Sequence, residues 1–134
     1  MFKNYLWNEI FNSDPPDPPG QPKVLDHGPT FVSLAWEPPA NDGGRPITGY
    51  LVEKKEKGTQ EWVRVTTFPI PTTDFVVPSL SDGQTYDFRV MAVNEGGIGK
   101  PSKTTGPVTA TRKMCKYFKI HSSNFYLACI FCFR

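Results

Sequence analysis

The chain has 134 residues and a formal net charge of +2 at pH 7, with 38% hydrophobic and 21% charged residues. This length allows one ordinary domain with its own core, and the composition is typical of a globular protein. So small a net charge does not by itself attract nucleic acid or anionic lipid. No apolar run reaches the length of about 18 residues that predicts a membrane helix.

Composition divides the chain into four parts. Residues 1–13 are an aromatic leader that we expect to be disordered. Residues 14–22 are rich in proline, which predicts a stiff, extended linker. Residues 23–111 contain short alternating segments and are predicted to form the domain. Residues 112–134 form a tail rich in aromatic residues and cysteine, which we expect to lie outside the fold and, like the leader, to be foreign to the domain.

Apolar and polar residues alternate in the middle part in short runs that are separated by turn residues. Such alternation predicts antiparallel strands that bury one face, and no segment carries a competing helical repeat. The number and spacing of the runs are typical of a β-sandwich. The seven predicted strands lie near residues 23–26, 32–36, 50–53, 62–65, 75–77, 86–92 and 108–110.

An ordered set of motifs in these strands and turns resembles a known family. The motifs are Trp36-Glu37-Pro38-Pro39, the phrase from Asp42 to Glu53, Leu80-x-x-Gly83-x-x-Tyr86, the run from Phe88 to Gly97, and Gly99-x-Pro101-Ser102. Together they resemble fibronectin type III domains, in particular those of titin, twitchin and myosin-binding proteins. The resemblance implies an all-β fold, a seven-stranded antiparallel immunoglobulin-like sandwich with irregular N- and C-terminal extensions.

Eight residues are predicted to form the structural core. Trp36 is large enough to fill the space between two sheets about 10 Å apart. Tyr86 follows Gly83 by three residues, where the hydroxyl of a tyrosine corner binds the backbone between the sheets. The predicted core residues are Trp36, Tyr50, Val52, Trp62, Leu80, Tyr86, Phe88 and Val90.

Residues suited to catalysis or metal binding are sparse. His27, the first of two histidines, lies beside Gly28 and Pro29, as is typical of a solvated loop. No nucleophile elbow, phosphate-binding loop or His-Glu-x-x-His motif is present. Cys129 and Cys132 form a C-x-x-C pair without the further ligand spacing that zinc requires. We therefore predict a protein without enzymatic activity, cofactor or metal.

Two loops contain the candidate docking residues, and loops of this kind lie at the same end of such a sandwich. The alternative is that both loops are only permissive turns, because each contains paired glycines. The candidate residues are Asn41, Asp42, Arg45, Asn94, Glu95 and Lys100.

The resemblance also implies a function and a location. It implies a structural and protein-binding module of an intracellular, thick-filament-associated muscle protein, located in the cytoplasm at the sarcomere. Its partners would be neighbouring immunoglobulin or fibronectin type III domains and myosin or other sarcomeric proteins, with no nucleic acid and no membrane. The alternative is a module of a cell-surface adhesion receptor or receptor phosphatase, because fold alone does not separate the two. The absence of Asn-x-Ser/Thr sequons, and of cysteines before residue 115, favours the intracellular protein.

Overall fold

The computed structural model describes residues 14–113, and all structural statements refer to this part of the chain. The leader and the tail beyond residue 113, including Cys129 and Cys132, lie outside it. Residues 14–113 contain no helix that could cross a membrane. The strands are β1 (Lys23–His27), β2 (Val32–Ala35), β3 (Gly49–Glu56), β4 (Val63–Arg64), β5 (Asp74–Val77), β6 (Thr85–Asn94), β7 (Gly97–Ile98) and β8 (Val108–Thr109).

The strands form two antiparallel sheets. One sheet has the order β1-β2-β5, and the other has the order β4-β3-β6-β7, with β8 also paired to β6. The longest ladder joins β3 and β6, with Gly49 opposite Val93 and Glu56 opposite Tyr86. The prediction of an all-β sandwich is therefore confirmed.

The eighth strand is β7, a pair of residues in the segment after Asn94 that was predicted to be only a turn, and the predicted last strand corresponds to β8. Between β7 and β8 the chain continues along β6 through side-chain hydrogen bonds. The Ser102 hydroxyl accepts a hydrogen bond from the Val90 amide at 3.0 Å, and the Thr105 hydroxyl accepts one from the Phe88 amide at 3.1 Å. In return, the Ser102 amide donates to the Val90 carbonyl at 2.8 Å. Hydroxyl groups thus replace two backbone acceptors and interrupt the regular ladder.

The core lies between the two sheets and follows the predicted alternation. Phe88, Val90 and Ala92 of β6 are fully buried, as are Val32 and Leu34 of β2. Trp36 packs edge-on against Tyr50, with ring centroids 5.6 Å apart, and its buried Nε1 has no hydrogen-bond partner. Burial also raises the pKa of the Tyr50 hydroxyl. The structure places seven of the eight predicted core residues here: Trp36, Tyr50, Val52, Leu80, Tyr86, Phe88 and Val90.

Trp62 differs from its prediction, because it is only partly buried and lies outside the core cluster. It directly precedes β4, and its ring faces the guanidinium of Arg89 at 4.2 Å and the ammonium of Lys55 at 5.2 Å. Arg89 and Lys55 alternate with inward-facing neighbours such as Val90. They therefore place Trp62 on the outer face of the second sheet.

The predicted tyrosine corner is present at the connection that enters β6. The Ser81 amide donates to the Tyr86 hydroxyl at 3.0 Å. One residue earlier, the Leu80 amide donates to the Thr30 carbonyl at 2.9 Å. Ser79 adopts a φ of 59° in the same connection. The hydroxyl thus fixes the chain where it passes from one sheet to the other.

Candidate interaction site

The loop between β2 and β3 is shaped by two short polar side chains. The Gly43 amide donates to Asn41 Oδ1 at 3.0 Å, and the Gly44 amide donates to Asp42 Oδ1 at 2.9 Å. These side chains replace the backbone acceptors of a regular turn. Gly43 and Gly44 have φ values of 77° and 90°, in the region that favours glycine. The sequence therefore fixes the conformation of this loop locally.

Asn94, at the end of β6, joins this loop to the turn before β7. Its Nδ2 donates to the Asp42 carbonyl at 2.6 Å and to the Asp14 carbonyl at 2.8 Å. Its Oδ1 accepts the Gly96 amide at 2.8 Å. Asn94 is only 4% exposed, and its side chain forms hydrogen bonds to three backbone groups. It is therefore not available to contact a partner. Its place among the docking candidates is corrected for this reason.

The remaining docking candidates lie together at one end of the sandwich. Asn41, Asp42, Glu95 and Lys100 are exposed, and Arg45 is partly exposed. Arg45 Nη1 lies 3.7 Å from Glu95 Oε2, which brings the charged tips of the two loops side by side. Residues 41–45 and 94–100 are together called the loop end.

The proline-rich segment, predicted to be a linker, is attached to the sandwich along its length, and its first residues are attached to the loop end. Residues 14–22 are called the entry segment. The Asp14 amide donates to the Gly43 carbonyl and the Asp17 amide to the Asn41 carbonyl, both at 3.1 Å. Asp14, the first residue that the structure describes, therefore lies at the loop end. The signal that sequence analysis missed is the three-residue spacing of Pro16, Pro19 and Pro22, which are all buried.

A second cluster of polar side chains lies on the outer face of the second sheet. Arg89 Nε and Nη2 each lie 2.7 Å from Glu53 Oε2. The two side chains are only 24% and 12% exposed, because Trp62 covers the guanidinium. Glu53 and Arg89 are directly opposed in the β3–β6 ladder. The ion pair between Glu53 and Arg89 could have been predicted from their opposite charges only if the register of β3 and β6 had been known.

The chain leaves the sandwich beside β1, at the end opposite the loop end. His27 Nδ1 lies 2.9 Å from the Thr111 carbonyl, so His27 is a structural contact of β1 and not a loop residue. Lys113 Nζ lies 2.6 Å from Asp26 Oδ1. The hydrogen bond from Lys113 lowers the pKa of the Asp26 carboxyl below its usual value of 3.8.

These clusters can present charge and hydrogen-bonding groups to another macromolecule. Among residues 14–113, no three or more His, Cys, Asp or Glu side chains are arranged to hold a metal ion. The loop end combines exposed charge with a backbone that is fixed by Asn94. It is therefore a surface of exposed charge on a fixed backbone.

Comparison with known proteins places the fold in a family. The family model "Fibronectin type III domain" matches residues 17–107. Mouse fast-type myosin-binding protein C is 42% identical over 94 residues, which cover 70% of this chain and 8% of that protein. The chain thus spans less than a tenth of this relative.

Solved structures give the same result. Titin domains in a crystal structure are 39% identical with a TM-score of 0.70, and the match covers 74% of this chain and 33% of that one. The twitchin kinase region of C. elegans is 34% identical with a TM-score of 0.70, covering 75% of this chain and 18% of that one. The protein belongs to the fibronectin type III domain family, and its relatives include domains of myosin-binding protein C, titin and twitchin.

Proposed function

We propose that this domain is a non-catalytic structural and protein-binding module of a longer intracellular muscle protein that is associated with the thick filament of the sarcomere. The observation that carries the proposal is its identity of 42% to myosin-binding protein C over 94 residues. That stretch is as long as the whole sandwich, so the similarity is not confined to one motif. The 8% share of that relative supports a domain within a much larger polypeptide.

The positions of Asp14 and Lys113, the two ends of the described domain, support neighbours in tandem. Asp14 lies at the loop end, where its amide donates to the Gly43 carbonyl. Lys113 lies beside β1, where its Nζ contacts Asp26 Oδ1. Because these points lie at opposite ends of the sandwich, domains before and after this one would be aligned along its long axis. The neighbours would be immunoglobulin or fibronectin type III domains.

The loop end is the surface that we assign to a sarcomeric partner such as myosin. It displays both charge signs, with Asp42 and Glu95 beside Arg45 and Lys100. Exposed charges of this kind contribute little affinity individually. Useful binding would arise from repetition of such domains along one polypeptide, which raises the effective concentration of each.

A co-sedimentation experiment with myosin filaments tests this assignment. The loop-end variant is Asp42→Lys/Glu95→Lys, and the matched control is Glu61→Lys/Asp82→Lys, at exposed positions elsewhere with the same change of charge. We expect the full chain and the control to pellet with filaments in a salt-dependent manner and the loop-end variant to pellet at least threefold less. Equal pelleting of the two variants, or none for the native chain at concentrations high enough to reveal weak single-domain binding, would contradict the docking role.

An immunoblot of muscle lysate distinguishes the muscle protein from a cell-surface receptor module. An antibody against residues 20–112 should detect a band far larger than the 134-residue chain on a gel that resolves giant proteins. Its mobility should not change after glycosidase treatment. A band that is labelled by surface biotinylation of intact cells would instead support the receptor module.

A further inference from the structure

The entry segment has a three-residue pattern of burial. Pro16, Pro19 and Pro22 are buried, whereas Pro15 and Pro18 are exposed. A polyproline II helix has three residues per turn, so every third side chain lies on the same face. The burial of every third residue is therefore the pattern expected of such a helix with one face packed against the sandwich.

The hydrogen bonds of the segment follow the same period. Its amides at Asp14, Asp17 and Gly20 donate at 3.1, 3.1 and 2.9 Å to backbone carbonyls of the β2–β3 connection. The acceptors are the carbonyls of Gly43, Asn41 and Glu37. Proline has no amide hydrogen, and every position that must donate is occupied by another residue. The three amides that donate therefore belong to Asp14, Asp17 and Gly20, and the prolines occupy only positions that do not donate.

The opposite wall of this cleft comes from β6 and the chain that follows it. Asn94 Nδ2 donates to the Asp14 carbonyl at 2.8 Å. Gln21 Nε2 donates to the Thr104 carbonyl at 2.7 Å. A side chain at Gly99 would overlap the Pro16 carbonyl, so glycine permits the close approach here. Backbone groups of the entry segment are thus contacted from both sides, by carbonyls of residues 37–43 on one side and by Asn94 and Gly99 on the other.

We propose that the cleft between residues 37–43 and residues 94–104 is a recognition site for a polyproline II peptide and that its resident ligand is the entry segment. The site would select prolines at three-residue spacing, with amide donors at the positions between them. Recognition would rest on backbone acceptors, on Asn94 and on Gly99. A linker that is bound in this way holds the preceding polypeptide in one direction of approach, and it is a ligand that can leave without unfolding of the sandwich.

A peptide-binding experiment on the full chain tests the site. In Pro16→Gln/Pro19→Gln, which we call the vacated variant, two polar side chains replace the buried prolines, so that the entry segment loses its apolar packing and should leave the cleft open to an added peptide. In the matched control Pro15→Gln/Pro18→Gln, the same changes fall on the exposed face and leave the cleft occupied. The probe is a fluorescent peptide with the sequence of residues 13–22. A second peptide has the same composition with its prolines moved out of the three-residue spacing.

We expect the first peptide to bind the vacated variant saturably, and at least tenfold more tightly than it binds the native chain or the control. The second peptide should bind at least tenfold more weakly. Asn94→Ala in the vacated background should weaken binding several-fold, because the hydrogen bond to the Asp14 carbonyl is lost together with those that hold the Asp42 carbonyl and the Gly96 amide. A vacated variant that retains its fold by circular dichroism but binds neither peptide, or both equally, would overturn the proposal.

Amide hydrogen exchange on the native chain keeps the proposal testable if the vacated variant does not fold. A bound but separable ligand predicts that the Asp17 and Gly20 amides are protected relative to the free peptide, yet exchange at least tenfold faster than the Val52 and Val90 amides of the core. Exchange at the rate of the core, or no protection, would contradict the proposal. Neither measurement involves myosin, so its outcome is independent of the proposed function.

Discussion

The space between the sheets and the outer face of the second sheet each contain a tryptophan, and the two are held by different forces. Trp36 is 5% exposed and lies edge-on to Tyr50 in the core. Trp62 is partly buried, and its ring faces the cations of Arg89 and Lys55. Burial of apolar area stabilises the first, whereas cation–π attraction and packing of side-chain stems stabilise the second. Residue type alone therefore does not tell which role a large aromatic side chain takes.

Truncation of the two tryptophans should separate these roles most clearly. Trp36→Ala leaves a cavity in a packed core, and we expect it to lower the free energy of unfolding by about 3–5 kcal/mol. Trp62→Ala removes a half-exposed ring and should cost about 1–2 kcal/mol. Urea unfolding followed by far-UV circular dichroism measures both, since tryptophan fluorescence would change with the substitution. Equal losses would show that Trp62 contributes as much to the free energy of unfolding as Trp36 does.

The ion pair beneath Trp62 should give the next largest effect. Arg89→Ala leaves the Glu53 carboxylate largely buried without its partner, and we expect a loss of about 2 kcal/mol. Arg64→Ala is the control, because Arg64 is exposed on β4 next to the same glutamate in the ladder. It should change the free energy of unfolding by less than about 0.5 kcal/mol.

A double substitution sharpens the interpretation of that loss. Glu53→Gln in the Arg89→Ala background removes the unpaired charge, so part of the lost stability should return. Urea unfolding of the four variants of this cycle at pH 7 gives the coupling energy between the two side chains. Strictly additive losses would mean that the cost of Arg89→Ala comes from packing on Trp62 and not from the charge.

Loss of the tyrosine-corner hydrogen bond, between the Ser81 amide and the Tyr86 hydroxyl, should lower the free energy of unfolding by a smaller amount. Tyr86→Phe keeps the buried ring but removes the acceptor of the Ser81 amide, which should cost about 1 kcal/mol. Urea unfolding measures the loss, and amide exchange at Ser81 should accelerate in the variant. Unchanged exchange at Ser81 would mean that the amide is protected by the backbone fold and not by the hydroxyl.

How far the sequence predicted this structure depends on whether the deciding contact is local. The alternation of Tyr86, Phe88 and Val90 along β6 is a two-residue period, so the buried face could be predicted without knowledge of other strands. The same is true of the paired glycines after Asp42, which the local turn requires. These features made the sandwich and most of its core predictable.

Long-range contacts set the features that were missed. Asn94 binds carbonyls 80 and 52 residues away, so nothing near it in sequence distinguished a buried clamp from an exposed turn residue. Trp62 borders a strand of two residues, where alternation is too short to choose a face. The entry segment was predicted to be extended, but its attachment depends on carbonyls of residues 37–43.

The smallest expected effect lies on the surface, at the pair formed by Lys113 and Asp26. Because this contact lowers the pKa of Asp26 below 3.8, it stabilises the fold above that pH and loses its contribution as the pH falls through the lowered pKa. Both side chains are more than a third exposed, so solvent screening limits the contribution to a few tenths of a kcal/mol, about 0.5 at most.

We therefore expect Lys113→Ala to lower the free energy of unfolding slightly at pH 7 and progressively less as the pH falls below 3.8, with Arg112→Ala, a neighbouring exposed cation, changing it little at any pH. Urea unfolding at low and at high salt measures the difference. Added salt should reduce it at pH 7, because the charges are exposed to solvent. A difference that does not decline as the pH falls would mean that Lys113 stabilises this end of the domain through its aliphatic stem, as in the packing around Trp62, and not through its charge.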